Sequence, residues 1–288
     1  MRSDIWENLI ALNNHENPEF QVLDRASAYQ ASDSHGTDWA AEKLDIDGAI
    51  KIDDGPLPTT ADREGYYGPH HFSFWASGLR DMRNLLACTG KYGVKVNDYF
   101  DFGCASARVI RHIAYQRKDI RTFGADINRR HVEWCNRYMP RDVVVFQNHS
   151  VPSLPFPDAS LDLISAFSVF SHIEAFESAW LMELRRVLRP GGIAWLTVHT
   201  ERTLEQLDET WPIYNALKTH EDYVNLKDKR KMTHDRMVFR WLTDRSYSSN
   251  VFYSSEYIKS SWGRILDVVD MHPCSPPYQD AVVLRKRV

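Results

Sequence analysis

No stretch of the 288-residue chain is apolar for long enough to cross a bilayer. The opening "MRSDIWENLIALNN" places acids where a secretory leader needs an uninterrupted apolar core, so a cytoplasmic protein is expected. Cysteine is sparse. Cys88, Cys104, Cys135 and Cys274 stand far apart, without the paired spacing of metal ligands, and read as reduced thiols; no metal is expected. An excess of basic charge is also missing: 35 Lys and Arg face 39 Asp and Glu, for a net charge of −4. That balance argues against bulk electrostatic binding to nucleic acid or to an anionic membrane. Repeats and low-complexity segments are absent too. What is present, 43% hydrophobic and 26% charged residues, is ordinary for a globular protein with a substantial core.

The first eighty residues lack a strand–helix rhythm. "DIDGAIKIDDGPLPTTADREGYYGPHHFSFWASG" is rich in Gly, Pro, Asp and aromatics, so residues 1–80 are expected to form an irregular arm or cap. From 79, "LRDMRNLLACTG" has helical spacing and opens the main domain, 81–288. Alternation follows: "VNDYF" as a strand, 106–116 as a helix, "RTFGAD" as a strand, "NRRHVEWCNRYM" as a helix and "DVVVFQ" as a third strand. "LDLISAF", a helix over 174–188 closed by "RPGG", and "IAWLTVH" continue the pattern. Such alternation predicts an α/β fold with a mainly parallel sheet. Residues 201–245 interrupt it with a polar insertion expected to be helical. "RILDVVDM" and "DAVVLRKR", joined by "HPCSPP", predict a terminal hairpin whose last strand runs antiparallel.

Ligands of such sheets bind at the carboxyl ends of the strands. There "DYFDFGCASARVIRHIA" (98–114) has the outline of a nucleotide-binding turn with too few glycines. Gly103 is present, but Ala105 and Ala107 stand where further glycines would be expected. Alanine is comfortable only at negative φ, so the loop is expected to run a slightly different path. Asp101 ends the first strand and Asp126 the second, and an acid at the latter point can accept from both ribose hydroxyls. The pair suggests a nucleoside without a pyrophosphate.

The segment "LPFPDASLDLISAFSVFSHIEAFESAWLMELRRVLRPGGIAWLTVHT" resembles the class I S-adenosylmethionine-dependent methyltransferases, of the type 11/25-like domain, along its whole length. "DFGCASAR" is similar to that family's first motif, usually DxGCGxGR. The resemblance covers about 95–200 and 250–288. It implies a Rossmann-like sandwich with a seven-stranded, mainly parallel sheet, a terminal antiparallel strand, and S-adenosylmethionine as cofactor. It further implies that Gly103, Cys104, Ala105 and Ser106 line the cofactor, with Asp101 near its amino group and Asp126 and Ile127 flanking ribose and adenine. In "QNHSVPS", Asn148 and Ser150 are candidates for adenine, although the acid expected there is missing. Ser168, after the fourth strand, is expected to face the methyl.

An Asn/Asp-Pro-Pro-Tyr-like motif for methylating nucleobase amines is replaced here by "AFSVFSH" (166–172). Methyl transfer needs an in-line nucleophile, and a hydroxyl acceptor usually also needs a base. His199 and His172 are the candidates, since an imidazole pKa near ~6.5 suits that work. Each has a plainer reading: His172 as a helix-entry residue against cofactor backbone, His199 as a strand-end residue. The aromatic run 66–75 fits packing of the cap better than closure over a ligand, and "KDKRK" (227–231) fits a solvated helix face. The expected activity is O-methylation of a small molecule or saccharide. RNA or protein methylation, and an inactive binding protein that kept the fold, are the alternatives. The insertion, with Trp211, Tyr214 and Tyr223, and the arm are expected to supply the acceptor pocket.

Overall fold

A computed structural model describes residues 19–24, 28–29, 36–241 and 248–288. The opening residues, 1–18, and the end of the insertion, 242–245, lie outside the described residues. Two compact units divide the chain between 148 and 149. No helix among the described residues is long and apolar enough to cross a membrane.

In the unit ending at 148, the arm contributes α1 (Ile46–Ile52), a 3-10 turn (Ala61–Arg63) and α2 (His71–Lys91). Helix α2 starts at His71 rather than 79, and the aromatic run explains the difference. Phe72, Phe74 and Trp75 lie in a first half, 72–80, that is buried all round, and are at most 3% exposed, each burial worth about 1.5–3 kcal/mol. They are core. The helix packs on α3 (Ile110–Gln116), and the approach is close. A Cβ added at Gly78 would lie 1.7 Å from the Arg108 carbonyl oxygen. A buried ion pair joins arm and helix, with Arg111 Nε 2.7 Å from Asp53 Oδ2, which also accepts from Trp75 Nε1 at 2.8 Å. Burial alone would raise the Asp53 pKa, but Arg111 outweighs it and the net shift is downward.

Strands β1 (Asp98–Phe102), β2 (Arg121–Asp126) and β3 (Val144–Gln147) pair in parallel, in the order β3-β2-β1. The register sets Asp101 opposite Gly124 and Asp126 opposite Gln147, so the carboxyl ends of the strands lie together. Helix α4 (Arg129–Tyr138) follows β2 and is capped by Asn128, whose side chain accepts from the Arg130 amide.

In the unit beginning at 149, β4 (Leu161–Ala166) leads through α5 (Glu177–Val187) to β5 (Leu188–Thr200). The "RPGG" expected to close the helix is instead the start of this 13-residue strand, with Gly191 at φ 81°. Strand β5 pairs in parallel with β4 and antiparallel with β9 (Asp280–Arg285), which pairs in turn with β8 (Asp267–Pro273). The terminal hairpin is as expected.

The insertion differs from expectation. It holds three short helices, α6 (Glu201–Glu205), α7 (Pro212–Leu217) and α8 (Glu221–Val224), and then a strand. Strand β6 (Arg236–Arg240) pairs antiparallel with β7 (Ser249–Tyr253), which joins the last two residues of β5 in parallel. Alternating burial in "RMVFR" was the available sign, hidden by its polar ends. Leu204, Leu207, Ile213, Leu217, Tyr223 and Phe239 give the insertion an apolar cluster of its own, closed by Phe252 of β7. The "KDKRK" run lies exposed in irregular chain after α8, not on a helix. The seven expected strands are therefore present, with β6 and β7 in addition. Helix α9 (Ser255–Ser261) precedes β8.

Candidate functional site

The loop after β1 keeps the path that glycines would allow. Gly103 has φ 75°, Ala105 φ 45° and Ala107 φ 65°, so both alanines occupy the left-handed region they were expected to avoid. The surroundings hold them there. The amides of Gly103 and Cys104 both donate to the Ala125 carbonyl, at 2.8 and 2.9 Å, and the Ala107 amide donates to Cys104 O at 3.0 Å. The Ala105 amide donates to Asp126 Oδ2 at 2.8 Å. Strain at a site over-determined in this way marks function more often than accident.

Asp126 is bonded on its other oxygen too. Its Oδ1 accepts from the Asn128 amide at 2.8 Å and lies 3.4 Å from His131 Nδ1. A carboxylate offers about four lone-pair sites, so acceptor capacity remains for hydroxyl donors. His131, on α4, is 3% exposed. Burial would lower its pKa, but Asp126, aided by Glu64 and Asp62, reverses this and the net shift is upward. The sequence reading missed His131. It also missed the arm residues that meet this end of the sheet. Asp62 pairs with Arg130, its carbonyl accepts the Ser106 hydroxyl, and Glu64 Oε1 accepts from Asn128 Nδ2 at 2.6 Å. The Ser106 proton is thus engaged by the arm, leaving its oxygen as an acceptor.

Asp101 is 2% exposed. Cys104 and Cys135 lie beneath the loop, where the Cys135 thiol donates to Ala105 O at 3.3 Å. The neighbouring Cys135 thiol and burial push the Cys104 pKa well up, so it stays a thiol. Ile127 is half-buried, and its carbonyl accepts from Gln147 Nε2 at 3.0 Å. The Asn148 amide donates to Asp126 O at 3.2 Å. Of the predicted cofactor residues, Asp101 through Ser106, Asp126, Ile127 and Asn148 belong to the unit ending at 148, while Ser150 and Ser168 belong to the other. The Ser150 hydroxyl is buried without a hydrogen-bond partner.

In that other unit the polar groups gather at the ends of β4 and β5. Ser168 has φ 60°, and its amide donates to Thr197 Oγ1 at 2.7 Å. Two residues further along β5, on the same face, comes His199. Its Nδ1 lies 3.3 Å from the Tyr278 carbonyl and its ring stacks on Phe252 at 4.9 Å. His172 Nδ1 lies 2.7 Å from the Ser249 carbonyl. Facing a carbonyl, each Nδ1 carries a proton, and in a neutral His199 this leaves Nε2 as the acceptor. Burial, with His172 adding to it, lowers the His199 pKa to about 3. The ordinary value expected from sequence is not kept, and His199 is neutral at physiological pH. Tyr278 also meets Trp211 of the insertion, ring centres 5.4 Å apart. Among the described residues no group of His, Cys, Asp and Glu is placed to hold a metal.

Residues 100–196 match the model of a methyltransferase-domain family. Among curated proteins, the chain is similar to the 27-O-demethylrifamycin SV methyltransferase of Amycolatopsis mediterranei. They are 34% identical over 134 residues, 42% of this chain and 48% of that protein. It is also similar to the malonyl-[acyl-carrier protein] O-methyltransferase of Hahella chejuensis, 25% identical over 40% of each chain. The chain thus spans less than half the length of either relative. A solved S-adenosylmethionine-dependent methyltransferase from Clostridium acetobutylicum shares the fold, with a TM-score of 0.50 at 11% identity, over 75% of this chain and 92% of that one.

Proposed function

We propose, from the premise that residues 100–196 are a methyltransferase domain of the class I S-adenosylmethionine-dependent family, that this protein methylates an oxygen of a small molecule or saccharide. The observation that carries the cofactor half is the closure of the Gly103–Ala107 loop by Asp126. A backbone loop and an acid with acceptor capacity stand at one strand end, an acceptor that fits a ribose diol. Asp126 would take the ribose hydroxyls, Ile127 and Asn148 would border the adenine, and the Gly103–Ala105 backbone would follow the amino-acid tail. When bound, S-adenosylmethionine supplies an electrophilic methyl group.

Oxygen as the receiving atom is supported by the two relatives, one named for a 27-O-demethyl substrate and one as an O-methyltransferase. His199 enters this reaction as a neutral imidazole. With Nδ1–H held by Tyr278, its Nε2 orients an acceptor hydroxyl, and positioning carries the rate rather than strong base catalysis. The insertion contributes Trp211 and Tyr214 to acceptor binding and excludes water.

Calorimetric titration with S-adenosylhomocysteine, S-adenosylmethionine and NAD tests this reading. Binding of the first two and not of NAD is expected. No heat and no thermal shift with S-adenosylhomocysteine at millimolar concentration overturns it.

A further inference from the structure

Three successive carbonyls of the turn between β8 and β9 meet three side chains at the end of β5 and the start of α6. Pro277 O accepts from Arg202 Nη1 and Nη2, each at 3.3 Å, and Gln279 O accepts from Nη2 at 3.1 Å. Tyr278 O, between them in sequence, accepts from Thr203 Oγ1 at 3.3 Å and lies 3.3 Å from His199 Nδ1. All of these residues belong to the unit beginning at 149.

Arg202 commits its whole guanidinium to this arrangement. Besides the two carbonyls, its Nε donates to Asp280 Oδ1 at 2.6 Å and its Nη1 to Gln206 Oε1 at 3.0 Å. Five N–H donors in a rigid planar fork thus meet four acceptors. The fork is anchored at its base. The other Asp280 oxygen accepts the Thr200 hydroxyl, and Thr200 Oγ1 caps α6 by accepting the Arg202 amide at 3.2 Å. The Gln279 side chain ties the turn further, to Thr197 Oγ1 at 2.7 Å and Ser168 Oγ at 2.8 Å. Peptide units are planar, so the direction of the Tyr278 carbonyl is constrained by the units on either side of it. Arg202 holds both.

The consequence falls on His199. A carbonyl can only accept, so Tyr278 O draws the single proton of the neutral imidazole to Nδ1. Burial keeps the imidazole neutral, its pKa lowered to about 3. Nε2 then carries a lone pair, and it bonds to no group among the described residues. The opposite tautomer would place an N–H there. Such a donor binds a hydroxyl through its oxygen and ties up the lone pair that methyl transfer needs.

We infer that Arg202 is a positioning residue, which through the Tyr278 carbonyl fixes the tautomer of His199 and so presents Nε2 as an acceptor. The inference rests on the reading of His199 as the group that orients the acceptor hydroxyl.

The test is nitrogen-15 NMR of the full chain at neutral pH, without cofactor or acceptor. A protonated imidazole nitrogen is told from a bare one by its chemical shift, and the His199 signals are identified by their loss in His199→Gln. Wild type, Arg202→Met and Arg202→Lys are compared. The lysine keeps a charge for Asp280 but not the fork that holds two carbonyls. Wild type is expected to show Nδ1–H and a bare Nε2. Each variant is expected to move the tautomer ratio toward Nε2–H by about three- to tenfold, the worth of one neutral hydrogen bond. Should Arg202→Met fail to fold, Arg202→Lys decides. A wild-type ratio in a folded variant, even one of lower thermal stability, overturns the role of Arg202, which then only braces the turn. A wild-type protein with the proton on Nε2 overturns the tautomer and with it the part given to His199. The measurement needs no bound nucleoside, so a chain that fails the S-adenosylhomocysteine titration fails a different reading.

Discussion

The amide of Ala105 donates to the carboxylate of Asp126 at 2.8 Å, across 21 residues of sequence. The acid that ends the second strand thus shapes the loop that follows the first. On the proposed reading the same side chain also takes the ribose hydroxyls. Asp126→Ala should therefore lower both affinity and stability, removing ribose bonds worth about 1.5–3 kcal/mol each together with the bonds to the Ala105 and Asn128 amides. Asp126→Asn keeps an acceptor for one amide and should recover part of the stability but little of the affinity. Thermal melts and S-adenosylhomocysteine titrations of both variants separate the effects; wild-type affinity in Asp126→Ala would remove Asp126 from the site.

Ala105 and Ala107 make opposite predictions from the same backbone strain. Left-handed φ costs an alanine about 1–2 kcal/mol, and glycine relieves it at about 0.5–1 kcal/mol of unfolded-chain entropy. Ala105 is half-buried, so Ala105→Gly should stabilise the protein by about 0.5–1 kcal/mol. Ala107 is fully buried, and losing its methyl should offset the gain. Urea unfolding of the two variants checks this, and equal effects would contradict it.

Gly78→Ala should be severely destabilising. The new Cβ would meet the Arg108 carbonyl oxygen at 1.7 Å, backbone against backbone, and no side-chain rotation relieves it. Helix α2 must then move off the loop that leads into α3. A loss of about 3 kcal/mol or more is expected by denaturant unfolding, at the upper end of single-substitution effects.

Two buried histidines set an acid limit on stability. Burial lowers both His112 and His199 to about 3. Their unfolded value is near ~6.5, so below that pH the unfolded chain binds more protons than the folded one. The contribution is complete above pH 6.5 and is lost as pH falls toward 3, at up to about 1.4 kcal/mol per pH unit for each histidine. His131 acts in the opposite sense: with its pKa raised, its share is complete below pH 6.5 and lost as pH rises through the folded value. Unfolding measured at pH 7.5 and 5 should show the net loss, and His199→Gln should reduce the slope. An unchanged slope would mean that His199 is protonated in the fold.

What was legible in the sequence was what local chemistry decides. The five alternating strands and the terminal hairpin follow from short-range pattern, and Gly103 and Asp126 from their places at strand ends. The path of the loop was not, because alanine preference predicts one φ and the bonds from Ala125 and Asp126 impose another. The bonds of Gln279 to Thr197 and Ser168 were out of reach because the partners lie 82 and 111 residues away and nothing local marks Thr197 or Gln279. The lowered pKa of His199 was not legible, since burial under Phe252 is a tertiary fact. Strand β6 was lost inside a segment read as uniformly helical. Its mean polarity concealed Met237 and Phe239.

The insertion after β5 brings an apolar cluster of its own, with Leu204, Leu217, Tyr223 and Phe239 closing on Phe252. A segment with a core of its own can drift in sequence at its exposed positions, Glu209 and Lys218 among them, without weakening the sheet from which it springs. Trp211 and Tyr214 pack against that core, so exchanging either is a change to the insertion's own frame, felt there before it is felt in the sheet.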